Sequence, residues 1–170
     1  MVASVESLFE PHCAPADFVD AMSRAVNGVS IVTTDGAHGC FGMTVSSLTS
    51  VSARPPILLV CVNRSAVPHD AIRDNGRFVV NVLAAGQQKM ADRFAGRAAD
   101  AYSFDAVSWT TGASLPRLRD AAAWFECRLV SAMRFGSHSI FVGDVIDAHA
   151  GVDTPLLYTG RSYGRPVTLN

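Results

Sequence analysis

The stretch "FGMTVSSLTSVSARPP" (residues 41–56) reads as two extended segments with an unusual side-chain content. Thr44, Ser46, Ser47, Thr49, Ser50 and Ser52 place six hydroxyls in an otherwise apolar run, and no charge appears before Arg54. The second segment ends at "ARPP", because proline has no N–H to give a β-ladder. Simple alternation puts Thr44, Ser46, Ser50 and Ser52 on one strand face and turns Ser47 and Thr49 inward. Just upstream, "VSIVTT" (29–34) is β-branched, and "DGAHG" follows with Asp35-Gly36 as a hairpin signal. The first segment, "CFGMTVSS", is the expected partner of that strand.

Working outward, "APADFVDAMSRAVNG" reads as a helix. Phe18, Met22 and Val26 recur every four residues, Pro15 precedes them and Gly28 follows as a stop. "ILLVCVN" (57–63) is a continuous apolar run, as in a strand buried on both faces. "AVPHDAIRDNG" predicts a short helix, "RFVVNVL" (77–83) a strand and "AGQQKMADRFAG" a helix stopping at Gly96. Residues 97–120 carry little pattern. In "AWFECRLVSAMR" (123–134), Phe125, Cys127, Leu129 and Met133 fall on one strand face, opposite Trp124, Glu126, Arg128, Val130 and Arg134. "SIFVGDVIDAHA" pairs back across "FGSH", and "TPLLYTGRSYGRP" has room for one more strand. Six or seven strands with three short helices, and more hairpin than β-α-β signals, predict a mainly β fold: a small closed or split barrel. Residues 1–15 are expected to be an N-terminal tail and 16–170 a single domain.

The 170 residues suffice for one domain with a full core. With 17% charged residues against 49% hydrophobic ones, some apolar surface is expected to lie under a second subunit. A net charge of −1 without a basic stripe argues against a nucleic-acid surface and a polybasic membrane anchor. No apolar run reaches membrane-spanning length, and "MVASVESLFEPHC" lacks the basic and apolar regions of a secretory signal. Cys13, Cys40, Cys61 and Cys127 form no C-x-x-C pair, so reduced thiols in a cytoplasmic protein are expected. The five histidines have no metal spacing; His12, His38 and His149 read as surface or turn residues.

Gly36, Gly39 and Gly42 are spaced G-x-x-G-x-x-G, but a phosphate loop needs a strand before it and a helix after it. Both flanks here read as strands, so the glycines belong to a hairpin. Neither G-x-S-x-G nor H-E-x-x-H occurs. The hydroxyl-rich stretch remains. Exposed edge-strand positions account for its alternating members and less well for Ser47 and Thr49. Neutral donors on a sheltered surface suit a ligand that is flat on its faces and polar at its edge, and they avoid the cost of burying charge. A flavin is such a ligand.

"VSIVTT", "GMTVSSLTSVSARPP", "LLVCVNRSAVPH", "GRFVVNVL", "FAG", "FEC", "GSHSIFVGDV" and "LLYTGRSYGRP" occur in that order. In combination they resemble the flavin reductase family, the reductase components of two-component flavin-dependent monooxygenases. The resemblance spans about residues 18–166. It implies an FMN-binding split β-barrel, usually a homodimer, that moves hydride from NADH or NADPH to FMN or FAD and supplies a partner monooxygenase. By the same resemblance Met43, Thr44, Val45, Ser46, Ser47, Thr49 and Ser50 lie along the isoalloxazine and ribityl chain. Cys61, Val62, Asn63, Arg64, Ser65 and His69 lie near the ribityl and phosphate, and Phe94, Ala95 and Gly96 close over the flavin. His138, Tyr163 and Arg165 border the nicotinamide side. No residue is assigned as an acid or base and no metal is implied, since the cofactors carry the reactivity. The family often has Asp before the histidine, where this chain has Ser137. Two alternatives stay open: a reductase with fixed FMN that acts on a cobalt corrinoid or ferric chelate, and a non-catalytic flavin- or haem-binding split barrel. Asn63 and Ser65 are also suited to capping the helix that follows them.

Overall fold

The computed structural model describes residues 13–37, 39–105, 108–110 and 115–169. His12, His38 and most of the expected N-terminal tail lie outside them. Among the described residues three helices, α1 (Pro15–Ser23), α2 (Val67–Asn75) and α3 (Gln88–Phe94), accompany twelve strands. Strands β1 (Asn27–Gly28), β2 (Ser30–Thr34), β3 (Phe41–Val45), β4 (Thr49–Ala53), β5 (Pro56–Asn63) and β6 (Arg77–Val82) come first. They are followed by β7 (Trp109–Thr110), β8 (Arg117–Leu118), β9 (Ala123–Phe135), β10 (His138–Ala150), β11 (Leu157–Thr159) and β12 (Ser162–Gly164). Seven strands make one antiparallel sheet in the order β3-β2-β6-β9-β10-β5-β4.

The opening stretch thus holds two strands, as expected, but they lie at opposite edges of this sheet. The sheet curls so that the edges approach each other. Val32 and Val45 from one edge, Leu58, Val60 and Val62 from near the other, and Phe78 and Phe141 between them share one core. Ser47 seals the seam. Its hydroxyl accepts from the Cys61 N–H (2.8 Å) and donates to the Cys61 carbonyl (3.1 Å). Thr49 pairs with Leu59 in the ladder, so two residues further on a side chain supplies the bonds that a backbone would make.

β2 and β6 are buried on both faces, because a second core packs outside the curl. Ile31, Leu83, Phe94, Trp109, Leu118 and Leu156 fill it. Asn81 crosses between the layers. Its amide donates to the Ile31 carbonyl and Thr33 hydroxyl, and its oxygen accepts from Leu118 N–H.

Four readings are corrected. The first helix stops at Ser23, short of Gly28, because none of its residues is buried and Asn27–Gly28 instead pair with Leu157–Tyr158. β5 is not buried on both faces; it alternates, with Leu58, Val60 and Val62 inward and Ile57, Leu59 and Cys61 half-buried outside. Met133 does not share the Leu129 face. Gly143 pairs with Leu129 and Val142 with Ser131, so Val130 bulges out, the two-residue period slips by one, and Met133 is exposed. The tail holds a hairpin, β11–β12, rather than one strand. Its turn residues Gly160 and Arg161 are both left-handed (φ 56° and 61°), as a tight two-residue hairpin demands.

Candidate active site

A cleft of about 300 Å³ opens on the outer face of β5, opposite Val60 and Val62. Met43 to Ser47 form one wall, Cys61 and Asn63 the next, and Ala95, Arg97, His138, Tyr158 and Tyr163 the rim. A second cavity of about 570 Å³ adjoins it and shares Met43, Thr44 and Ala95.

The hydroxyls of the opening stretch have separate duties. Thr44 donates to the Ala91 carbonyl (2.7 Å), fastening α3 to β3. Ser47 lines the cleft, but its hydroxyl is committed to Cys61 in both directions. Ser46 is exposed in the cleft, with no hydrogen-bond partner among the described residues. Thr49 and Ser50 are exposed on the edge strand β4 and line neither cavity, and Thr49 does not turn inward.

The turn after β5 is shaped by Asn63. Its side-chain oxygen accepts from the Ser65 N–H and the Ser65 hydroxyl, both at 2.9 Å. That leaves the two amide N–H donors of Asn63 for the cleft. Ser65 lies at the second cavity instead. Val62 lines neither cavity: strand alternation buries it completely in the core, and the unbroken apolar run had concealed that period. His69 is also withdrawn. It is 4% exposed, packs on Phe141, and is hydrogen-bonded to Ser139 Oγ and Asp70 Oδ1, each at 2.9 Å. Arg64 points to the next turn, where its guanidinium donates to the Gly136 carbonyl (3.0 Å) and its N–H to the Ser137 carbonyl (2.9 Å).

These bonds hold the corner that carries His138. It opens β10 directly opposite Asn63. Ser137 Oγ lies 2.9 Å from its Nδ1, doing with a neutral group what an aspartate would do with a charge. Tyr163 donates its hydroxyl to Asp92 (2.8 Å); burial first, and that bond second, push its phenol up to about 12. Tyr158 meets Tyr163 edge-on. Arg165 is not with them. It lies at a separate depression with Gln87, Asp120 and Asp153, because β12 ends at Gly164 and the chain departs. Phe94 belongs to the second core and also walls the second cavity. Gly96 is left-handed (φ 74°) and covered by the Tyr102 hydroxyl rather than open to the cleft.

The sequence reading passed over Arg97 and Tyr158. Arg97 is the lining group that carries a permanent positive charge, 3.5 Å from Asp92, and immediately follows the "FAG" stretch. Tyr158 sits in the same tail hairpin as Tyr163, directly opposite it in the β11–β12 register.

Among the described residues no carboxylate lines the cleft. Its uncommitted donors on Ser46 and Asn63 are neutral, Met43 and Val45 lie beside them, and Arg97 stands at the rim. The flavin reductase-like domain model matches residues 22–166. The chain belongs to the flavin reductase family. It is 41% identical over 155 residues to an FMN reductase (NADH) RutF of Variovorax paradoxus, covering 90% of this chain and 86% of the relative. Among solved structures it resembles BorF, the flavin reductase component of a bacterial two-component tryptophan halogenase, at 36% identity and a TM-score of 0.80. That match covers 89% of this chain and 98% of the other. It also resembles the Streptomyces globisporus NADH:FAD oxidoreductase SgcE6, solved with NAD and FAD fragments, at 35% identity and a TM-score of 0.81. There the coverage is 93% of this chain and 98% of the other. For this member of the family, the neutral donors of Ser46 and Asn63 and the apolar wall of Met43 and Val45 fit a flavin's polar edge and flat faces.

Proposed function

We propose that this chain is an NADH-dependent flavin reductase that binds the flavin in the cleft and releases it reduced to a separate flavin-dependent monooxygenase. One observation carries the reading: a cleft that no carboxylate lines among the described residues, with uncommitted neutral donors beside apolar side chains, bordered by His138 and Arg97. A bound flavin would supply the chemistry, taking up the hydride of a nicotinamide nucleotide. The protein supplies binding and alignment. Ser46 and the Asn63 amide hold the flavin's polar edge, and Met43, Val45 and Ala95 exclude water from its faces. His138 donates to the nicotinamide nucleotide from the Asn63 corner. Arg97 meets a phosphate of one of the two nucleotides. Tyr163 stays protonated throughout the working range and keeps Asp92 turned away from the cleft. No nucleophile or proton relay is required.

A homodimer belongs to the same reading. Val51 on β4, Val130, Met133 and Phe135 on β9 and Ile146 on β10 expose 44–60% of their surface, and Phe18, Val19 and Met22 expose 49–59% on α1. A twofold copy covers such a surface economically.

The test is anaerobic mixing of the purified protein with NADH. The flavin absorbance is expected to bleach in a single turnover, and added free flavin is expected to be reduced catalytically. A bound flavin that bleaches without turning over added flavin points to a fixed prosthetic group. A flavin that does not bleach overturns the reading.

A further inference from the structure

The second cavity adjoins the first cleft at the turn after Asn63. Asn63 lines the first cleft and Ser65 the second, so the turn between them is the junction. Met43 and Thr44 form the shared wall beneath it. A flavin with its ring in the first cleft and its phosphate over this turn must send any further group into the second cavity. FMN has no further group.

The cavity is built for something flat and uncharged. Phe41, Val67, Pro68, Phe94 and Tyr102 wall it, and no charged side chain lines it among the described residues. At about 570 Å³ it is larger than the first cleft. Tyr102 is the informative residue. Its backbone is left-handed (φ 61°), a region that L side chains avoid, and the residue lines the cavity while 53% exposed. Its hydroxyl crosses so close to Gly96 that a Cβ there would sit 2.5 Å from it. The surrounding loop is stapled: Arg93 is paired with Asp100 (2.6 Å) and Asp105 (2.8 Å), and its carbonyl accepts from the Tyr102 N–H (3.2 Å). A strained backbone, held in place by ion pairs, thus keeps an aromatic ring at the mouth of an apolar cavity. Gly96 is the residue that leaves room for it.

We infer that the second cavity is an adenosine subsite, with Tyr102 as the stacking shelf, and that this chain selects FAD over FMN. The inference rests on the flavin reading of the first cleft and adds the identity of the flavin.

Flavin dissociation constants measured by fluorescence on the full-length protein test it. A single base–aromatic stack corresponds to a factor of roughly ten to a hundred in affinity. FAD is therefore expected to bind at least about tenfold more tightly than FMN. Tyr102→Gly removes the ring while suiting the left-handed backbone, and is expected to bring FAD to the FMN value and leave FMN unchanged. Tyr102→Phe keeps the shelf and is expected to keep the preference. AMP is expected to compete with FAD and leave FMN bound. Equal affinity for the two flavins, or an equal loss of both in Tyr102→Gly, overturns the subsite while leaving the flavin reductase reading intact. Absence of binding for either flavin overturns both.

Discussion

The hydroxyl at position 47 belongs to the fold before it belongs to any ligand. The Cys61 N–H and carbonyl lie just past the end of the β4–β5 ladder, and Ser47 satisfies both. Ser47→Ala is expected to leave two backbone groups without these partners and to cost about 1–3 kcal/mol of stability, read from the urea midpoint. Any loss of flavin affinity in that variant should track the loosened seam and be recovered at low temperature. His138 stands differently. Its strand position is held by Arg64 and His69 on both sides, so removal of the ring does not disturb the Asn63 corner. His138→Ala is expected to raise KM for NADH about two- to tenfold, the value of one neutral hydrogen bond, with flavin Kd unchanged. A fall in kcat as well identifies alignment rather than uniform binding. Lost flavin binding with an unchanged KM reverses the assignment. That His138 and Asn63 meet was legible only as separate motifs; the β5–β10 register makes them neighbours.

At the level of elements, the long β9–β10 ribbon is shaped by two bulges. Val130 is squeezed out on β9 and Ile146 on β10, between the Val145–Cys127 and Asp147–Glu126 pairs. Both side chains are exposed as a result. Beside the second bulge Glu126 is 3% exposed, bonded to Arg77 and to Arg117 (2.5 Å), while Arg117 also reaches Asp147 (3.1 Å) and lies over Trp124. Burial opposes ionisation of Glu126, but the Arg117 and Arg77 hydrogen bonds outweigh it and hold the carboxyl below its usual range. A carboxyl with a depressed native pKa contributes stability that is complete above its unfolded value of 4.5 and lost as pH falls below it. The unfolding midpoint should therefore fall between neutral pH and about pH 3.5, and fall less in Glu126→Gln. Glu126→Ala leaves both guanidiniums without this partner and is expected to cost about 3 kcal/mol at neutral pH. An equal pH slope in wild type and Glu126→Gln removes Glu126 from the acid transition.

For the whole molecule, the division of apolar residues is the governing fact. One set fills the curled sheet and a second fills the space under α3 and β7–β8. A third set stays outside, on α1 and on the outer faces of β4, β9 and β10. Sedimentation at micromolar concentration is expected to give a dimer. Met133→Glu with Phe135→Glu is expected to shift it toward monomer if that outer face is the contact. A monomer in wild type removes the homodimer. Among the described residues no helix is long and apolar enough to cross a membrane.

Sequence alone determined the local elements. β-branched runs, Asp35-Gly36, the Pro55–Pro56 stop and Gly76 (φ 65°) after α2 each act within a few residues, and the strands and helices formed close to where these signals lie. It also held the motif order that carries the family resemblance. Tertiary structure decided which of those residues share a site. Val62 and His69 went into the core, Arg165 to another depression, and Thr49 and Ser50 to an open edge. Arg97 and Tyr102 came to cavities from a segment with little short-range pattern, and Tyr158 from the tail stretch in which the sequence singles out only Tyr163 and Arg165. The reason is physical: alternation along one strand is written in the chain, but the face that becomes a cleft is fixed only when bulges, register and closure of the sheet set one strand against another.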